Sequence, residues 1–351
     1  MKSYRRRVAY PTRFESSYDL ARLPWFDVVD RRLVVDPDIP PAIDVHTHLA
    51  LAYVLPRRLD LGRQWPETEH YLPLSGTLDL DVYANVNLSP GDLAKMKRDL
   101  TLGSVTAGGM RRTHTLPDLA REMKELGVVG SVLLAIDYPF LSDNAGDWLK
   151  AAKGREDFIV FGSVHPYKPN MERELDRQVA LGARGIKVHP AVQTVLPSNH
   201  RAMKLYRACG RRGLPVLFHC GPVAIEPPLG RWLSQVRHYE KPLREIPETT
   251  FVLGHSGALQ LEAGIELARR YHNVYVEIAS QSLTGVRRIL DRVDPSRILF
   301  GSDWPFYHQS MPLAKLLIAT EGAPELRDRI LYQNAAQLLG LSPEALLARR
   351  E

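Results

Sequence analysis

Cysteine is scarce: Cys209 and Cys220 are the only two in 351 residues. Two thiols make neither a disulfide framework nor a cysteine zinc site, so neither kind of staple is expected. Long apolar runs are missing as well. No stretch approaches the roughly 20 apolar residues that a membrane span needs. The first seven residues, Met1-Lys2-Ser3-Tyr4-Arg5-Arg6-Arg7, are basic, but no signal-peptide core follows them. A cytoplasmic location is therefore expected. Charge of one sign is in short supply too. Lys+Arg 46 against Asp+Glu 40 leaves a net charge of +6, spread along the chain. That argues against a nucleic-acid partner and is compatible with a small anionic substrate. With 44% hydrophobic and 25% charged residues, the chain falls outside the collagen-like and disordered classes.

What is present is a recurring unit: a short apolar run followed by a helical pattern. Such runs occupy 42–45, 128–136, 158–164, 185–188, 215–218, 250–253, 273–278 and 297–300. Each is rich in Val, Ile, Leu or Phe and short enough for a buried parallel strand. Helical stretches such as 116–126, 171–181, 201–211 and 259–271 lie between them. Eight strands alternating with helices predict an α/β fold, a (β/α)8 TIM barrel. A doubly wound open sheet would carry a glycine-rich phosphate turn after its first strand, and none is found.

Two segments fall outside the repeat. Residues 1–40 precede the first strand and are expected to pack on the barrel as an N-terminal extension. The barrel domain then runs over 41–345. Residues 50–113 form an insertion after strand one, far longer than an ordinary α/β connection. Because it leaves the C-terminal end of a strand, it should overhang the barrel mouth like a lid. Trp65, Tyr71, Leu72, Leu74, Leu80 and Tyr83 give it apolar anchors.

The strand ends carry the chemistry. His46 and His48 sit two apart on a strand, so both imidazoles point to one face. Strand five ends in Phe218-His219-Cys220-Gly221, strand six in Gly254-His255-Ser256-Gly257, and strand eight in Gly301-Ser302-Asp303-Trp304-Pro305. Four histidines and an aspartate converging in a barrel interior need partners, and a divalent metal supplies one. Lys187 ends strand four, where a bland reading has it pairing with an anion. Glu277 on strand seven either orients a ligand histidine or neutralises a core arginine. Asp44, deeper than His46, reads as a structural group, and His189 as a strand end. His70, His114 and His165 have no spacing that recommends them, and His308 is expected at an exposed rim.

With these motifs in view, the chain resembles the amidohydrolase superfamily, in the amidohydrolase-related branch that contains aminocarboxymuconate-semialdehyde decarboxylase. The resemblance rests on Asp44-Val45-His46-Thr47-His48 and Gly301-Ser302-Asp303-Trp304-Pro305 and runs to Asn334-Ala335-Ala336-Gln337-Leu338-Leu339-Gly340. It implies a zinc ion held by His46, His48, His219 and Asp303, with His255 beside it as an acid/base group. It also implies that Lys187 could bridge to a second metal, in which case His255 would ligate that metal. A homodimer would be usual for such barrels.

The chemistry expected is hydrolysis. Zinc lowers the pKa of a coordinated water to about 7. Asp303 would take its proton and His255 would stabilise the developing oxyanion, cleaving an amide, ester or lactone-type bond in a small molecule. The alternative is a zinc-dependent non-oxidative decarboxylase (a carboxy-lyase), for which an arginine fork would hold the carboxylate. Arg57, Arg58, Arg111 and Arg112 are candidates for that fork, and Trp304 is a further substrate-binding candidate. Decarboxylases of this branch often have a glutamate where this chain has His46, which tilts the reading to hydrolysis. A barrel kept only as a binding module would show a broken ligand set, and this one is intact.

Overall fold

The computed structural model describes residues 9–342 apart from 51, 56–58, 107 and 139–140, so Arg57, Arg58 and the basic run at 5–7 lie outside the described residues. Eight parallel strands form one sheet. They are β1 (Ala42–Thr47), β2 (Val128–Leu134), β3 (Phe158–Gly162), β4 (Gly185–Val188), β5 (Val216–His219), β6 (Phe251–Gly254), β7 (Val274–Glu277) and β8 (Ile298–Leu299). The sheet closes where β1 meets the segment after β8. Val45 N–H donates to Phe300 O at 2.9 Å, Asp303 N–H to His46 O at 2.8 Å, and His48 N–H to Trp304 O at 2.7 Å. The predicted eight-strand barrel is the fold observed.

Helices alternate with the strands where the apolar periodicity predicts them, including Leu116–Glu125, Met171–Ala180, His200–Gly210 and Leu261–Arg270. Period-two alternation then sorts each strand's side chains. On one face Ile186, Val216, Phe218, Leu253 and Val276 join Leu119, Leu205 and Ile265 of the helices in the main core. On the other, Phe161, Leu217, Val252 and Leu299 form a separate cluster backed by Ala335, Ala336 and Leu339. Leu217 shares its face with His219, so this cluster fills the barrel below the polar strand ends.

The N-terminal extension packs on the side of the barrel. A hairpin of Phe26–Val29 and Arg32–Val35 and the turn Ser17–Arg22 contribute Leu20, Leu23, Phe26 and Leu33 to the main core. Arg13–Phe14 pairs antiparallel with Leu78–Asp79 of the insertion, which ties the two irregular segments together. The insertion holds a helix, Pro90–Thr101, that the apolar pattern did not announce. Its start was written in the sequence: Ser89 caps the Asp92 amide at 3.1 Å and Pro90 occupies the first helical position. Among the described residues no helix is long and apolar enough to cross a membrane.

Asp44 reinforces the closure from inside. Its carboxylate accepts from His46 N–H and Ser302 N–H, each at 3.0 Å, from the Ser302 hydroxyl at 2.5 Å and from Gln309 Nε2 at 2.6 Å. Burial pushes its carboxyl up to about 6, against those four donors. Asp44→Ala strands the donors in a fully buried place. At pH 7.5, where Asp44 is ionised, it should cost about 3 kcal/mol of unfolding free energy. Denaturant titration measures this, and a loss below about 1 kcal/mol would show that the backbone bonds suffice alone.

Candidate metal centre

The strand ends project their polar side chains toward one corner of the barrel mouth. His46, His48 and Asp303 each offer a ligand atom within 4.8 Å of the others. Asp303 Oδ1 lies 3.5 Å from His46 Nε2 and 3.5 Å from His48 Nε2. The opposite ring nitrogens are already occupied. His46 Nδ1 meets Glu277 Oε1 at 2.9 Å, and His48 Nδ1 meets Leu134 O at 2.9 Å. Both partners accept, so in each ring the proton sits on Nδ1 and Nε2 keeps its lone pair. Two lone pairs and a carboxylate oxygen therefore face one another, a cluster that attracts a cation.

Glu277 organises a second group with His46 and His255. Its oxygens receive the backbone amides of His255 and Ala279 as well as His46 Nδ1–H. Room for this comes from glycine. A Cβ at Gly301 would sit 2.6 Å from Glu277 Oε2 and 3.1 Å from His46 Cβ. His255 and Asp303 both adopt left-handed backbone, at φ 57° and 67°, a conformation that costs non-glycine residues about 1–3 kcal/mol. Bonds offset the strain at His255: its amide binds Glu277, and its carbonyl accepts Gln281 Nε2 at 2.6 Å. Burial pushes the His255 imidazole down to about 4, with Asp303 pulling the other way, so it is neutral at pH 7. The His255 Nδ1 atom is buried with no hydrogen-bond partner among the described residues, and Glu277 Oε1 lies 4.0 Å from it.

Of the four ligands implied by resemblance, three converge and His219 stands slightly apart. Its ring stacks on His189 at 4.0 Å and 7°, and its centroid lies 4.9 Å from that of His255. Its Nε2 is also buried without a partner among the described residues. His189 is thus a wall of the site rather than a plain strand end; its position two residues after Lys187 was the available signal. Lys187 is buried and reaches His46 Nε2 at 3.3 Å. Burial pushes its ammonium down to about 8, while Asp303 and Glu277 favour the charged form.

A cavity of about 590 Å³ opens over this corner, with His189, His219, His255 and Asp303 in its wall. The insertion roofs it through Tyr83, Asn85, Lys97 and Leu100. The substrate candidates separate here. Arg111 borders the cavity, but its guanidinium is bound to Asp99 and to the Ala52 carbonyl. Arg112 borders a different hollow, 3.5 Å from Glu69. Trp304 is fully buried behind the site, where its indole N–H donates to Glu122 at 2.8 Å. Glu122 also meets His70 Nε2 at 3.0 Å, and His308 lies 3.7 Å away. His308 is therefore buried, not exposed at a rim, because this carboxylate supplies a partner inside the fold. Only the tertiary fold brings Glu122, His70, His308 and Trp304 together.

The donor set fits a divalent metal: the Nε2 atoms of His46 and His48, one carboxylate, and two orphaned ring nitrogens nearby. Glu277 makes His46 a better ligand by accepting its Nδ1 proton. Glu277→Gln should weaken zinc binding about 10-fold, as read by competition with a chromogenic chelator. A change within about twofold would mean that Glu277 serves the His255 turn alone.

A family model described as amidohydrolase matches residues 43–341. No curated protein matches the chain. Among solved structures it is similar to an uncharacterised TIM-barrel protein from Bordetella bronchiseptica, with 19% identity, 88% of this chain and 99% of that one covered, and a TM-score of 0.58. It is also similar to 2,6-dihydroxybenzoate decarboxylase complexed with 2,6-dihydroxybenzoate, at 16% identity, 85% and 100% coverage and a TM-score of 0.58. A probable 2-pyrone-4,6-dicarboxylic acid hydrolase from Acinetobacter baumannii follows at 14% identity, 86% and 99% coverage and a TM-score of 0.52. Identities this low speak to the fold. The family match spans the barrel from β1 to the helix Asn334–Leu339, and on that ground the chain belongs to the amidohydrolase family.

Proposed function

We propose that this chain is a zinc-dependent hydrolase that cleaves an amide, ester or lactone bond in a small molecule. The observation that supports it most is the meeting of two histidine lone pairs with Asp303 Oδ1, at 3.5 Å each, in the wall of a cavity. His46, His48, His219 and Asp303 would hold the ion. A zinc ion in such a site supplies Lewis acidity toward a substrate oxygen and acidifies water near pH 7.

The remaining roles belong to side chains. Asp303 holds the proton taken from the attacking water on its carboxylate and returns it to the leaving group. His255, neutral at pH 7 and fixed by Glu277 and Gln281, hydrogen-bonds the oxygen on which charge develops. Lys187 adds positive charge at the same corner. The insertion covers the cavity and limits bulk water around the reacting bond.

Fold neighbours include both a decarboxylase and a probable hydrolase, so likeness does not choose between the reactions. Of the arginines that could form a fork for a substrate carboxylate, Arg111 already binds Asp99 and Ala52 O and Arg112 borders a different hollow, which supports hydrolysis among the described residues; Arg57 and Arg58 lie outside them.

Elemental analysis of wild type and Lys187→Ala should find about one zinc per chain in both. Two metals falling to one in the variant would instead make Lys187 a bridge. A panel of esters, lactones and amides should be turned over, and chelation should abolish the activity. Asp303→Asn should lower kcat by about 1000-fold. Release of carbon dioxide from carboxylic acids, with no hydrolysis in the panel, would replace this reading with the decarboxylase.

A further inference from the structure

Asp303 sits in left-handed backbone at φ 67°, and that turn must be braced if its carboxylate is to keep one aim. Its amide donates to His46 O and its carbonyl accepts from Phe306 N–H, each at 2.8 Å. A second hold comes from the next residue. The Trp304 carbonyl accepts from His48 N–H at 2.7 Å, and its amide donates to Ser302 Oγ at 3.0 Å. Its indole is fully buried, with the rings of His70 and His114 edge-on to it at 6.4 and 5.8 Å. The indole N–H donates to Glu122 Oε2 at 2.8 Å.

Glu122 is a buried carboxylate with an unusual set of partners. Burial alone would raise its carboxyl, yet His70, His308 and the Thr68 hydroxyl hold it well below the usual range. Charge buried this deeply is costly unless its oxygens are used. Here they gather two segments far apart in the chain: Thr68 Oγ1 at 2.5 Å and His70 Nε2 at 3.0 Å from the insertion, and Trp304 from the segment after β8. The helix Leu116–Glu125 that carries Glu122 is fixed in the main core by Leu119 and Met123, so the anchor is rigid. Glu122 is not among the described residues that line the cavity, so contact with a substrate does not account for it.

We infer that Glu122 is a positioning residue for the metal centre: by holding the Trp304 indole it fixes the aim of Asp303 Oδ1 at His46 Nε2 and His48 Nε2, 3.5 Å from each. A ligand whose support is loosened binds its metal less well, even when the ligand itself is untouched. This role rests on the zinc reading of the site and is independent of which bond is cleaved.

Zinc affinity, read by competition with a chromogenic chelator, tests this without any turnover, with urea unfolding of the zinc-free forms run alongside. Trp304→Phe keeps a ring and loses the N–H, and Glu122→Met keeps the length and loses the acceptor. Each should bind zinc about 5-fold more weakly than wild type. The double variant should also lose about 5-fold, because both changes remove one bond. Glu122→Gln can still accept the indole N–H and should stay within about twofold of wild type. Thr68→Val takes a donor from the same carboxylate without touching Trp304, so it should lower stability and leave zinc affinity within about twofold. If Glu122→Met does not fold, Trp304→Phe against Thr68→Val decides. The inference is overturned if Trp304→Phe and Glu122→Met bind zinc as wild type does, or if their losses multiply in the double variant. It is equally overturned if Glu122→Gln or Thr68→Val weakens zinc as much as Glu122→Met. A wild type that takes up no zinc would sink the metal centre itself, a different result from a zinc-binding wild type whose variants bind equally well.

Discussion

The site depends on how the first strand of the barrel is tied to the segment that follows the eighth. His46 and His48 belong to one, Asp303 to the other, and the two are about 255 residues apart in the chain. Backbone bonds from Val45, Asp303 and His48 cross the seam, and the Asp44 carboxylate gathers four more donors around it. The closure that completes the sheet is also what brings the ligand atoms to 3.5 Å. A slip of one residue in this register would turn the histidines to the opposite face. Stability and metal binding therefore share one joint.

A second constraint is electrostatic. The corner holds five histidines, a lysine and two carboxylates in a place that water barely reaches. Burial pushes the imidazoles of His46, His189, His219 and His255 toward their neutral forms. Neutral imidazoles are what a metal ion requires of its ligands. Glu277 and the Leu134 carbonyl then decide which nitrogen of each ring keeps the lone pair. The left-handed backbone at His255 and Asp303 shows the local cost of aiming those side chains, and Glu277 and Gln281 offset it at His255.

The long insertion turns the corner into a chamber. Its helix, Pro90–Thr101, is held by Asp99, which binds Arg111, the Tyr71 hydroxyl and the Met110 amide. Arg111 is thereby spent as a structural clamp, although a sequence reading naturally sees a fork for anions. The same element supplies Tyr83, Asn85 and Leu100 to the roof. The contact that anchors this helix is thus also what occupies Arg111.

The sequence by itself determined the barrel, because eight short apolar runs spaced by helical patterns leave few other architectures. It also marked the strand ends whose polar side chains the fold gathers at one corner. His46 and His48 stand at a period of two, and glycine flanks His219, His255 and Asp303, so local pattern alone marks them. Tertiary structure decided what local pattern cannot encode. Whether Arg111 is free depends on Asp99, twelve residues away on another element. Whether Trp304 lines the cavity depends on Glu122, far back in the chain. His308 was expected at the rim and is buried for the same reason. Glu277 could be read from its strand as either of two things, and only its 2.9 Å contact with His46 selects one. Periodicity is a property of neighbours along the chain, whereas a side chain's partners are chosen by which distant segments the fold packs together.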